Sequence, residues 1–304
     1  MFVAASVEPK PLAAPLPGGQ TGATVRLHPL LAGEMRAPPG LLEAPSGPLK
    51  QPRGLGLGRS RSDWIWLPIP AFLIEHPAAG PMLVDTGFHP SVALDPKRNF
   101  GRLGAAINTF RMTPEQGLHH QLRARGIDPM DVGVVLMTHL HSDHASGVSE
   151  FPNATFVVDK REWEAATRPR GVLRGYHVPQ FDYGFDWRSI DYEARDIDSF
   201  ATFGGGSVDV FGDGSVRLVS TPGHTAGHQS VLLRLSGREA LLTGDASYLE
   251  RGLREDVRPL LMDDEHHYWR SLKEIRRYLE QAPGALVITG HDTEAWPRLE
   301  PVYE

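Results

Sequence analysis

An α+β sandwich, with β-sheets face to face and helices on their outer faces, is the fold class that this 304-residue sequence predicts. Three observations predict it. Short β-rich runs outnumber helical patterns. Helices nevertheless recur between groups of strands instead of standing in a separate block. Hydrophobic residues make up 40% of the chain, enough to bury a sizeable core.

Along the chain, residues 1–22 are rich in Pro, Gly and Ala without strand or helix periodicity, so a flexible tail is expected. Thr24–His28 reads as a short strand, and residues 37–60 as a long surface loop. WIWLPIPAFLIEH and AAGPMLVDTG, from Trp64 to Gly87, read as two strands about a Gly-Pro turn. Pro68 and Pro70 demote the first of them to an edge or bent strand. A helix is expected from Thr113, with Pro114 at its first position, Gln116 completing a capping box and Gly126 as its stop. Further strands are expected at 132–138, 154–158, 207–220 (broken by a Gly-Asp-Gly turn), 230–235, 240–245 and 285–290. The last helix runs from Asp264 to Gln281, with Tyr268, Leu272, Ile275 and Leu279 on one stripe.

Composition narrows the function. Acidic residues number 37 against 31 basic, a net charge of −6, which argues against nucleic acid as a partner. With no cysteine, disulfides, thiolate metal sites, iron–sulfur clusters and a cysteine nucleophile are excluded. The apolar runs are of strand length, short of the roughly 20 residues that span a bilayer, so no membrane partner is expected. The first residues lack the charged and apolar regions of an export signal, and a cytoplasmic protein is expected.

Chemistry gathers at strand ends. The run VVLMT leads into His139-Leu-His141-Ser-Asp143-His144, RLVSTPG into His224, ALLTG into Asp245 and ALVITG into His291. A rigid strand fixes where its last residue points, so several ends can converge on one spot. Three imidazoles and a carboxylate within six residues are hard to explain as packing and suit a metal. Imidazole and carboxylate accept zinc, and also manganese, iron or cobalt. His28, His76, His89, His119, His120, His177, His266 and His267 are isolated and read as ordinary side chains; His228 opens a strand and reads as structural.

In these motifs the sequence resembles the metallo-β-lactamase fold superfamily: THLHSDHASG, TPGHTAGH, TGD and TGHD stand in that family's order. Within it, LPIPAFLIEHPAAGPMLVDTG, TPGHTAGHQSVLL, LLTGDASY and the terminal GHDTEAWPRLEPVYE resemble N-acyl-homoserine lactonases. The resemblance covers roughly residues 24–304. It implies an αββα sandwich of two mixed sheets, one hydrolase domain over 23–304, and two divalent ions, zinc foremost. It places His139, His141 and His224 on one ion, Asp143, His144 and His291 on the other, and Asp245 as the bridge. Asp85, in VDTG, would orient the first histidine. Ser142 departs from the family, where an aromatic residue is common, and leaves the shape of the acyl pocket open.

The implied reaction is opening of the lactone ring of an N-acyl-homoserine lactone by a hydroxide bridging the ions. Tyr248 would stabilise the oxyanion and Asp143 would carry the proton to the leaving alkoxide. Residues 168–206, longer than expected and rich in aromatics, read either as a lid whose rings wall an acyl chain or as an anchored surface loop. Another esterase, thioesterase or phosphotriesterase on the same scaffold is the main alternative, and a metal-binding protein without turnover the second. The expected partner is a small lactone; the assembly is left open, a homodimer being one option.

Overall fold

The computed structural model of the protein describes residues 5–169 and 171–304. Two mixed sheets pack face to face. The strands of the first are β1 (Lys10–Pro11), β2 (Arg26–Ala37), β3 (Ile65–His76), β4 (Gly80–Val84), β5 (Phe110–Arg111), β6 (Val134–Leu136), β7 (Thr155–Asp159) and β8 (Asp186–Ile190). Their order is β1-β8-β7-β6-β4-β3-β2-β5. The second sheet is made of β9 (Asp198–Phe200), β10 (Phe203–Asp209), β11 (Val216–Ser220), β12 (Gln229–Arg234), β13 (Glu239–Gly244) and β14 (Leu286–Thr289), in the order β14-β13-β12-β11-β10-β9.

The two-residue period of a strand sorts its side chains onto two faces. Phe72, Ile74, Met82, Val84, Leu136 and Val157 point inward and meet Leu218, Val231, Leu233 and Leu242 from the other sheet. Their neighbours Leu73, Leu83, Val135, Phe156 and Val158 point outward, under Leu122, Trp163 and Phe181. Val219, Leu232 and Leu241 pack outward against Tyr268, Leu272 and Ile275 of the helix Glu265–Gln281. Both faces of most strands are thus buried, which is why they read as continuous apolar runs. The last helix starts where expected: Asp264 caps it, its carboxylate accepting the N–H of His267 at 2.8 Å. A cap of this kind contributes about 1 kcal/mol.

Four expectations are revised. Residues 5–22 are not a loose tail: β1 pairs with β8, Leu12 and Leu16 pack, partly buried, against the inner core, and Asp182 accepts the N–H groups of Ser6 and Val7. Leucines between the prolines supply the burial that average composition hid; residues 1–4 lie outside the described residues. The proline-bearing strand β3 is not an edge but runs between β2 and β4. A bulge in β2 between Leu31 and Glu34, opposite Pro70 and Pro68, absorbs the irregular pairing. The helix expected from Thr113 keeps its capping box and left-handed Gly126, but splits into a 3-10 turn, Pro114–Gln116, and a helix, Leu118–Arg123. Residues 168–206, of which residue 170 lies outside the described residues, are not an insertion apart from the sheets. They supply β8, β9 and the start of β10, and Phe181, Trp187, Tyr192 and Phe203 are core side chains rather than a wall for a ligand. No described helix is long and apolar enough to cross a membrane.

Candidate metal centre

The expected ligands lie beyond strands at one end of the sandwich. His139 follows β6, His224 follows β11, Asp245 directly follows β13 and His291 follows β14. Two groups of donor atoms form, each with its atoms within 4.8 Å of one another: His139, His141, His224 and Asp245, and Asp143, His144 and His291. In the first, His224 Nε2 lies 3.0 Å from His141 Nδ1 and 3.2 Å from Asp245 Oδ2, and His139 Nε2 lies 3.7 Å from that oxygen. In the second, Asp143 Oδ2 is 3.8 Å from His144 Nε2 and 3.5 Å from His291 Nε2. The other oxygen of Asp245 faces this group, 3.6 Å from His144 Nε2 and 3.3 Å from His291 Nε2. One carboxylate therefore serves both groups, an oxygen to each.

These residues fit a pair of cations. Around a tetrahedral ion with bonds of 2.0–2.1 Å, neighbouring donors stand about 3.3 Å apart, the spacing seen here. His139 Nε2, His144 Nε2 and Asp245 Oδ1 are buried without any hydrogen-bond partner. Such atoms cost free energy unless something electron-poor meets them.

The far side of each ring is held. Asp85 Oδ2 takes the Nδ1 proton of His144 at 2.8 Å, and the backbone carbonyl of Pro68 takes that of His291 at 2.8 Å. Thr138 Oγ1 lies 3.0 Å from His139 Nδ1 and donates to Asp85 at 2.7 Å. The expectation for Asp85 is thereby corrected: it orients His144 directly and the first histidine only through Thr138. Its backbone is left-handed (φ 57°), a strained conformation of the kind found at functional sites. Ser142, where the family pattern is broken, donates from N and Oγ to the carbonyl of Gly175, both at 3.0 Å, and Tyr176 packs its ring against His141.

Electrostatics divides the rings. Burial holds His139 and His224 well below the usual histidine range. Burial pushes His144 and His291 the same way, but Asp245 and neighbouring carboxylates outweigh it and raise both. Asp245 is buried, which opposes its charge, yet the surrounding imidazoles hold it well below the carboxylate range. Tyr248 Oη lies 3.2 Å from His224 Nδ1; burial, then Asp245 and Asp143, push its hydroxyl far above the phenol range, so it keeps its proton.

Sequence reasoning missed several supports. His228 is more than a strand opener: its Nε2 accepts the N–H of Asp245 at 2.9 Å, a role that needs the neutral ring, and burial lowers it to about 3. Gly290 must lack a side chain, since a Cβ there would stand 2.3 Å from Asp245 Oδ1. Glu162, fully buried, accepts from the backbone of two ligand loops. Elsewhere His76 pairs with Asp213, and His89 and His119 flank Glu150, all away from the two groups.

The family model of the metallo-beta-lactamase superfamily matches residues 64–291. The N-acyl homoserine lactonase AttM of Azorhizobium caulinodans is 37% identical over 236 residues, 76% of this chain and 84% of that protein. AiiA of Bacillus thuringiensis subsp. kurstaki, also an N-acyl homoserine lactonase, is 28% identical over 75% of this chain and 82% of its own length. Among solved structures, an N-acyl homoserine lactone hydrolase with the product N-hexanoyl-L-homoserine at its catalytic metal centre superposes with a TM-score of 0.73. It shares 25% identity over 92% of this chain and all of its own.

Proposed function

Because this chain belongs to the metallo-β-lactamase superfamily, and within it to the N-acyl homoserine lactonases, we propose that it opens the lactone ring of N-acyl-homoserine lactones by adding water across the ester bond. The observation that carries this reading is the carboxylate of Asp245, shared between two complete donor groups with the Tyr248 hydroxyl beside one of them. Both groups and all strands of the sandwich but β1 fall within residues 23–304, which we take as one hydrolase domain.

His139, His141, His224 and Asp245 would hold one divalent ion, and Asp143, His144, His291 and Asp245 the other. Zinc suits this set best; iron, manganese and cobalt share the same donors. Bound there, the ions supply Lewis acidity and lower the pKa of water to near neutrality. The protein's own groups do the rest. The Tyr248 hydroxyl, kept protonated, donates to the lactone carbonyl oxygen as negative charge develops, where one preorganised donor is worth on the order of 3 kcal/mol. Asp143, only half-buried at the rim of the second group, takes the proton of the attacking water and returns it to the ring oxygen as the acyl–oxygen bond breaks.

A proton-release assay over lactones, thioesters and phosphotriesters, with and without chelator, tests the proposal. Selective, chelator-sensitive release from acyl-homoserine lactones is expected. Preference for a thioester or phosphotriester would assign another hydrolase activity, and two bound ions with no turnover would assign a carrier.

A further inference from the structure

Glu162 lies on the helix Lys160–Thr167, is wholly buried, and belongs to neither donor group. Its two carboxyl oxygens face different segments. Oε1 accepts the N–H of Leu140 at 2.9 Å, the residue between His139 and His141. Oε2 accepts the N–H of Gly227 at 3.2 Å, in the loop that carries His224. Those two segments provide all three histidines of the first group. The fit is close: a Cβ on Gly227 would stand 2.2 Å from the backbone nitrogen of Glu162, so the helix start rests directly on this loop. Tyr176 packs its ring on His141, ring centroids 4.9 Å apart.

Burying a carboxyl is costly, and only two acceptor atoms side by side answer two N–H donors. A glutamine in its place would present one acceptor and one NH₂, setting donor against donor. We infer that Glu162 is a positioning residue for the first donor group: it sets the distance between the His139–His141 segment and the His224 loop, so that three imidazole nitrogens converge. The second group depends on it less, because His144 and His291 are oriented by Asp85 and the Pro68 carbonyl. This rests on the reading of the site as a two-ion centre, and the test separates the two.

Metal retention by the purified holoprotein is measured by chelator competition, alongside the visible spectrum of the cobalt(II)-substituted protein. If the wild-type chain does not hold two ions, the two-ion reading fails. If it does, Glu162→Gln weakens one ion by about 10–100-fold and the other by no more than about threefold, with the cobalt bands of one site altered. Asp159→Asn serves as the comparison. Asp159 is buried on the same helix start, where it accepts the N–H of Arg161 at 2.7 Å. That variant is expected to lower Tm and to keep both ions. Wild-type retention and spectrum in Glu162→Gln would overturn the inference. So would equal loss of both ions with a Tm drop matching Asp159→Asn, which would make Glu162 a general fold residue. Should the Gln variant not fold, Glu162→Asp, one methylene short of spanning both N–H groups, carries the same expectation and the same refutation.

Discussion

The two halves of the candidate centre are equally buried but held by different means. In the half made by Asp143, His144 and His291, the rings hydrogen-bond at Nδ1 to groups that can only accept, the Asp85 carboxylate and the Pro68 carbonyl. An obligate acceptor fixes the proton on Nδ1 and leaves the Nε2 lone pair aimed inward. In the half made by His139, His141 and His224, the corresponding partners are hydroxyls: Thr138, whose proton goes to Asp85 so that it accepts from His139, and Tyr248, which can donate to His224 or accept from it. At His224 the tautomer is set less firmly, and order in this half comes also from the placement of the loops. The rings also differ in charge preference, for another reason: burial holds His139 and His224 well below the usual range, whereas Asp245 and neighbouring carboxylates outweigh burial at His144 and His291 and raise them. One half is defined by the orientation of its rings, the other by the spacing of its backbone.

The largest effect should come where the distinction vanishes. Asp245→Asn takes a charged oxygen from both halves at once. Both ions should be lost, with lactone turnover at the level of the chelated protein; metal analysis showing one ion retained would mean that the halves are not joined through this residue. Tyr248→Phe asks whether the first half's hydroxyl is there for its histidine or for the substrate. A fall in kcat of about 10²-fold with KM little changed and both ions retained is expected for an oxyanion donor. Loss of an ion would make it a support of His224 instead. The mildest of the three, Asp85→Asn, leaves one acceptor oxygen in place. It should weaken the second-half ion by about 10-fold, at the lower end of such outer-shell effects, and the first less, in a chelator titration. Equal weakening of both would erase the contrast drawn above.

The candidate ligands were legible because they follow four apolar runs, four of the seven in one motif and the other three in motifs of their own. Their supports were not. Glu162 is 22 positions from Leu140 and 65 from Gly227, separations that carry no periodic signal. Pro68 contributes a carbonyl, which no side-chain pattern can announce. Asp85 stood out as a strand-end carboxylate, but a strand end does not say which neighbouring histidine lies beyond it. The aromatics of 168–206 misled for a related reason. Strand β8 sends Trp187 to the outer core and Ile190 to the inner one, with polar, partly covered Asp186, Arg188 and Ser189 as its other residues, so no apolar alternation marks it as sheet. Pro68 and Pro70 suggested an edge because proline cannot complete a regular ladder, and the bulge in β2 that accommodates them leaves no trace in β3 itself.

The stretch of residues 5–22 crosses from one sheet to the other: Leu12 bonds to Ser189 in β8, Leu16 to Val210 just past β10, and Gln20 to Asp213 beyond it. It hems the open side of the molecule. Cut away, it would leave β8 with unpaired amides and carbonyls turned to solvent, the kind of border along which separate molecules stitch together. A shortened chain is therefore more at risk of sticking to its own kind than of losing its fold, and tags or truncations are best kept clear of this seam.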